Sequence, residues 1–201
     1  MQSSYDIWNA SKDKDDDKKD KPAPIERDML EKHRTIFISE EVSSKLSKRI
    51  IPQLLWLDAQ SDDPIRLFIN TPGGSADDGF GIFDVLRYIR SPVNAICTGL
   101  NASAGTIILL ATPKERRFSL PNTRIMIHQP AGGGRGKASD LQITAEEILK
   151  LRKRANELIA EECGQPFDKV ERDTNRDCWL SPEEALEYGL IGKILTSLND
   201  L

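Results

Sequence analysis

Apolar and polar positions change rhythm repeatedly from Arg34 onward. A β-branched and aromatic run predicts a strand over 35–38. Over 43–60, Leu46, Ile50, Leu54 and Leu57 recur on one face and predict a helix, with Pro52 inside it implying a kink or a later start. A strand over 65–70 ends at Thr71-Pro72-Gly73-Gly74, and a helix over 78–89 turns Phe80, Phe83 and Leu86 inward. A buried strand over 93–98 leads into a short helix over 102–111. Further strands are predicted over 117–120 and 124–127. Gly132, Gly133, Gly134 and Gly136 precede a long helix over 139–163, with Ser139 as its N-cap and Asp140 in its first turn. Short helices over 166–172 and 181–188 follow, Gly189 stops the second, and a last strand covers 191–195. The alternation predicts an α/β fold of stacked βαβ units around a partly parallel sheet.

The long helix differs from the others. Ile143, Ile148, Leu149, Leu151, Leu158 and Ile159 do not fall on one narrow stripe, which predicts burial against a partner as well as against its own core. A broad-faced core helix is the plainer alternative.

The first residues depart from this pattern. The run 12–21 is wholly charged and is followed by Pro22-Ala23-Pro24; such a segment buries too little apolar surface to offset its ordering entropy and is expected to be mobile. The patch Tyr5-Asp6-Ile7-Trp8 before it is unusual for a pure tail. The chain therefore divides into a segment 1–29 and a domain 30–201, and 201 residues suffice for one α/β core. A net charge of -4 offers no basic footprint for nucleic acid. No run of about 18 apolar residues predicts a membrane span, and residues 1–21 lack a secretory signal's apolar core. Cys97, Cys163 and Cys178 are odd in number and form no CxxC pair, which argues against a disulfide framework or a zinc site. The expected location is the cytoplasm.

Two histidines make the search for a general base short. His33 lies in a charged lead-in and reads as a surface residue. His128 ends the apolar run Ile125-Met126-Ile127 where the chain opens into a loop, a place where scaffolds present catalytic side chains. Ser103 lies in Gly99-Leu100-Asn101-Ala102-Ser103-Ala104-Gly105, where small neighbours admit a carbonyl and free N–H groups suit an oxyanion. The same position suits a helix cap, and the pattern is not G-x-S-x-G, so both roles stay open. Gly73-Gly74 can bring bare N–H groups against a ligand or simply form a tight turn. A P-loop ending is missing, and no His/Asp/Glu group has metal-ligand spacing.

Together these segments resemble the ClpP family, the proteolytic subunits of the ATP-dependent Clp protease. The likeness is carried by 67–75, Ala102-Ser103-Ala104-Gly105, Arg124-Ile125-Met126-Ile127-His128-Gln129-Pro130, 170–177 and Glu187-Tyr188-Gly189-Leu190-Ile191, and runs from about Leu30 to Leu195. The resemblance implies a ClpP/crotonase-like spiral with a protruding handle helix over about 139–163. It also implies a Ser-His-Asp serine endopeptidase with Ser103 as nucleophile, His128 as base and Asp177 as acid; Asp173 is the near alternative by position, but the family pattern makes it a helix residue. The backbone N–H groups of Gly74 and Ala104 are implied as the oxyanion hole. An extended substrate is implied between Gly73-Gly74 and Ala131-Gly132. Further implications are two stacked heptameric rings, an ATP-driven unfoldase partner, unfolded polypeptides as substrates, and no cofactor or metal in this chain.

Three departures from the family pattern stand out. The charged insertion is expected near the axial entrance, where deletion of 11–24 without any change in turnover would exclude a gating role. Arg66 replaces an aromatic of the unfoldase-docking pocket and Phe68 a tyrosine, which implies docking through a sister subunit; tight unfoldase binding by a homo-oligomer would exclude that. Asn175 replaces the acidic residue before Arg176, a pair linked to contact between rings. These departures keep open an inactive subunit that shapes a mixed ring. A crotonase-type acyl-CoA enzyme is the other rival, and it would need no serine nucleophile.

Overall fold

A computed structural model describes residues 24–133 and 135–201. The expected mobile segment therefore lies almost wholly outside the described residues, as does Gly134. Among the described residues seven strands form one sheet: β1 Thr35–Ile38, β2 Ile65–Thr71, β3 Val93–Ala102, β4 Arg117–Ser119, β5 Arg124–Ile127, β6 Cys178–Leu180 and β7 Lys193–Ile194. The order β1-β2-β3-β4-β7 is parallel throughout. β5 runs parallel to the far end of β3, and β6 is antiparallel to β5. The helices are α1 Pro24–His33, α2 Ser44–Gln60, α3 Ala76–Tyr88, α4 Ala104–Leu109, α5 Ala138–Cys163, α6 Phe167–Asp173 and α7 Pro182–Tyr188. Helices connecting parallel strands on a buried sheet make this an α/β spiral of βαβ units.

Most predicted elements stand close to where the patterning put them. Leu46, Ile50, Leu54 and Leu57 of α2 are all buried, and the helix runs on through Pro52 without a later start, its Ser43 cap accepting from the Leu46 amide. The predicted Ser139 cap is overturned. α5 begins one residue earlier, Lys137 holds the cap position without a side-chain bond, and Ser139 lies inside the first turn with Asp140. The last strand shrinks to Lys193–Ile194, while α1 and β6 have no counterpart in the sequence reading. α1 and β6 are short, and neither has a buried stripe strong enough to announce it.

The two halves of α5 have different surroundings. Its second half buries Ala155, Asn156, Ile159 and Cys163 against the core. Its first half leaves Leu141, Ile143 and Leu149 exposed, the latter two at 60%. This split explains the broad apolar pattern: one stretch packs on its own domain and the other projects from it.

β3 is the element that organises the site. Its residues 95–97 pair with β4 and its residues 100–102 pair with β5. Between them the register against β2 shifts, from Ile69 opposite Cys97 to Thr71 opposite Asn101. Gly99 lies in this irregularity at φ 61°, and the Asn70 Oδ1 that accepts from the Leu100 amide occupies the space a β-carbon at Gly99 would need. The kink is therefore specific to glycine, and it lets one strand serve two neighbours.

The base of α5 is pinned to the sheet by charge. Arg117 on β4 is 1% exposed. It donates to the carbonyls of Thr112 and Glu162 and to the Glu162 carboxylate, which also pairs with Arg87. Removing one partner strands a buried charge, so Glu162→Ala is expected to destabilise the protein by about 3–5 kcal/mol. A urea titration should show the lower midpoint, and the double variant Arg117→Met/Glu162→Met should recover most of the loss. An unchanged midpoint in the single variant would refute this.

Candidate active site

The register of β5 against its two neighbours brings the chemistry together. Ala102 pairs with Met126, so Ser103 leaves the end of β3 beside the end of β5, and its amide donates to the Met126 carbonyl. On the other side Ile127 pairs with Cys178. Continuing that antiparallel register by one step sets His128 opposite Asp177. His128 Nε2 lies 2.8 Å from Ser103 Oγ, and His128 Nδ1 lies 3.0 Å from Asp177 Oδ1. With the carboxylate accepting from Nδ1–H, Nε2 is free to accept the serine proton. Gln129 joins the two loops further: its amide donates to Thr174 O at 2.6 Å and its side chain to Asn175 O at 2.8 Å.

Ser103 occupies the residue before α4 but makes no capping bond. Its backbone is at φ 55° and ψ -119°, a conformation costly for a non-glycine residue. The cap bond is not made: the hydroxyl lies toward His128 instead of the helix amides. The sharp strand-to-helix turn has the shape of a nucleophile elbow without the G-x-S-x-G letters. The predicted helix start at 102 is also corrected, since β3 extends to Ala102 and α4 begins at Ala104.

The Gly73-Gly74 turn presses directly on this elbow. Gly73 adopts φ 94°, and a β-carbon there would stand 2.6 Å from Ser103 Cβ and 2.7 Å from Ala102 O. Only glycine permits that approach. The Gly73 amide is taken by Thr71 Oγ1 and its carbonyl accepts from Val42. The amides of Gly74 and Ala104 have no acceptor among the described residues. Ala131 and Gly132 are exposed on the loop after His128, and Ala131 lines the cavity beside the serine.

That cavity has a volume of about 500 Å³. Ile107 and Ile127 form part of its floor, and Leu151, Ala155 and Ile159 of α5 form a wall. From the sequence, α5 is expected to pack on a partner and on its own core, and its part in lining this cavity was not foreseen. The i, i+4 spacing of Leu151, Ala155 and Ile159 was the available signal.

Other predicted positions fall away from the centre or beside it. Asp173 ends α6, where it accepts from Lys169 and from the Tyr188 hydroxyl. His33 is exposed. Asn175 and Arg176 are exposed in the loop before Asp177, and Arg176 has no ion pair among the described residues. Arg66 donates to His33 O, and Phe68 stacks on Phe37 at 5.6 Å. Burial pushes the thiols of Cys97 and Cys163 up to about 12 and raises Cys178 as well. None is poised as a thiolate at neutral pH.

An α/β spiral with a serine, an imidazole and a carboxylate hydrogen-bonded in a row defines a serine hydrolase. The profile of the Clp protease family matches residues 19–198, and the chain belongs to that family of serine-type peptidases. It is 47% identical over 192 residues to the ATP-dependent Clp protease proteolytic subunit 3 of Rhizobium johnstonii, covering 94% of this chain and 99% of the relative. It is 48% identical over 169 residues to proteolytic subunit 2 of Treponema denticola, covering 84% of each. A solved structure of a ClpP1 point mutant from Listeria monocytogenes superposes with a TM-score of 0.81 at 42% identity, over 87% of this chain and 98% of that one. No helix among the described residues is long and apolar enough to cross a membrane.

Proposed function

We propose that this chain is the proteolytic subunit of an ATP-dependent Clp protease, in which Ser103, His128 and Asp177 hydrolyse peptide bonds through an acyl-enzyme. The hydrogen-bonded row of 2.8 and 3.0 Å carries the reading. Ser103 Oγ attacks the scissile carbonyl carbon while His128 Nε2 takes its proton. The tetrahedral oxyanion accepts hydrogen bonds from the Gly74 and Ala104 amides, each such donor contributing roughly 3 kcal/mol. Collapse breaks the C–N bond, and the imidazolium returns the proton to the leaving amine. Water then repeats the sequence on the ester and frees Ser103. Asp177 fixes the imidazole tautomer and stabilises its cationic form.

Substrate enters this scheme as an extended strand between Gly73-Gly74 and Ala131-Gly132, read through its backbone. Gly73 contributes shape more than bonds, because its own polar groups are already engaged. The assembly is two stacked heptameric rings in the cytoplasm, fed with unfolded polypeptide by a Clp-type ATPase. Docking of that ATPase falls largely to a sister subunit, since the Arg66 guanidinium is costly to desolvate beneath an apolar loop. The exposed half of α5 supplies the contact between rings, and residues 1–29 border the axial entrance.

Intact mass after exposure to a fluorophosphonate tests the catalytic reading. One adduct, lost in Ser103→Ala, is expected; no adduct on the assembled oligomer would overturn it and favour a subunit that only shapes a mixed ring. The ring contact has its own test. Arg176 has no ion pair among the described residues, so Asn175→Asp is expected to shift the protein toward the double ring on sizing. No shift would remove Asn175 and Arg176 from that contact.

A further inference from the structure

Among the described residues, Asp77 is the one ionisable residue besides His128 in the lining of the cavity beside Ser103. The surrounding walls are apolar, from Ile107, Ile127, Leu151, Ala155 and Ile159. Its neighbour Asp78 is committed to Ser47, whose hydroxyl donates to it at 2.6 Å. Asp77 itself is exposed and has no hydrogen bond or ion pair among the described residues. A carboxylate in the first turn of α3 suits the helix dipole, but that role requires no position on a cavity. Ala76 and Ala104, also in the lining, carry small side chains.

A long apolar slot with one negative charge on its wall matches a particular kind of side chain. Lysine and arginine carry an aliphatic stem that packs on apolar surface and a cationic head that seeks a carboxylate. An acidic side chain would meet repulsion there, and a neutral aliphatic one would fill the slot but leave Asp77 unpaired. We propose that Asp77 is a specificity-determining residue that makes this site accept a long cationic side chain flanking the scissile bond. The inference rests on the reading of Ser103 as nucleophile, which places the cavity beside the bond that is cut.

The test uses matched internally quenched peptides that differ at one position, lysine or norleucine, with the cut mapped by mass. Norleucine keeps a four-carbon aliphatic stem and removes the charge, so the ratio of kcat/KM isolates the head group. The full-length oligomer is expected to favour lysine, and Asp77→Asn to lower the ratio by about fivefold at low ionic strength, with the difference narrowing as salt rises. Asp77→Glu should keep the preference. The same peptides, fluorescently labelled, are also bound to Ser103→Ala and to Ser103→Ala/Asp77→Asn, and their affinities compared. A lysine preference in binding that Asp77→Asn removes supports the proposal even if no peptide is cut, in which case the catalytic reading fails alone. A ratio that Asp77→Asn leaves unchanged in both turnover and binding overturns the proposal and leaves the catalytic reading intact.

Discussion

Ser103→Ala is expected to lower kcat for peptide hydrolysis by about 10⁴-fold or more. In the proposed mechanism the serine oxygen forms the covalent bond of the acyl-enzyme, and the cysteines of the described residues are not placed to replace it. Cys97 and Cys163 are buried thiols pushed up to about 12, and Cys178 pairs with Ile127, one step past Asp177. Any residual rate would come from water attack helped by the Gly74 and Ala104 amides. The variant should still fold, because the hydroxyl caps no helix. Steady-state kinetics on a fluorogenic peptide, with circular dichroism and sizing as controls, provide the check. Less than a hundredfold loss in an assembled variant would show that hydrolysis runs through another group.

Asp177→Asn should cost less, about 10³-fold in kcat. In triads with a buried aspartate the same change costs about 10⁴-fold, because the amide favours the wrong tautomer of the histidine. Here the Asp177 side chain is 60% exposed, while that of His128 is 22% exposed. Water competes for the carboxylate and can itself accept from Nδ1–H, so both the benefit of Asp177 and the damage from losing it are diluted. The loss should appear in kcat with little change in KM, since the carboxylate does not touch substrate. A loss of tenfold or less would mean that His128 is held by the strand end alone. A loss equal to that of Ser103→Ala would mean that a neighbouring subunit shields Asp177 in the assembled ring.

Legibility in the sequence followed the range of the interactions. The stripe of Leu46, Ile50, Leu54 and Leu57 gave α2 its place because helical periodicity is a local property, and Pro52 was absorbed without breaking it. The Gly189 stop of α7 was equally local and stands as expected, in the left-handed conformation at the helix end. The Ser139 cap failed because several polar residues stand near that helix start, and only backbone dihedrals choose among them. β6 was missed because a three-residue strand carries too little pattern; it exists because β5 offers it an antiparallel edge.

The site divides in the same way. The sequence by itself determined the components: a serine among small residues, one histidine at a strand end, an aspartate in a recognisable run, and paired glycines. These are chemical identities, and the family resemblance ordered them. Only the tertiary structure decided that they meet. Ser103 and His128 are 25 residues apart and His128 and Asp177 are 49 apart, and nothing local measures such distances. The kink at Gly99, the parallel register of β3 with β5 and the antiparallel register of β5 with β6 bring the three side chains into one row. Asp77 shows the same limit from the other side: in the sequence it is one more acidic residue at a helix start, and only the tertiary packing places it in the lining of the cavity beside Ser103. Register and packing between distant segments come from the whole core burying its apolar surface at once, which no single segment encodes.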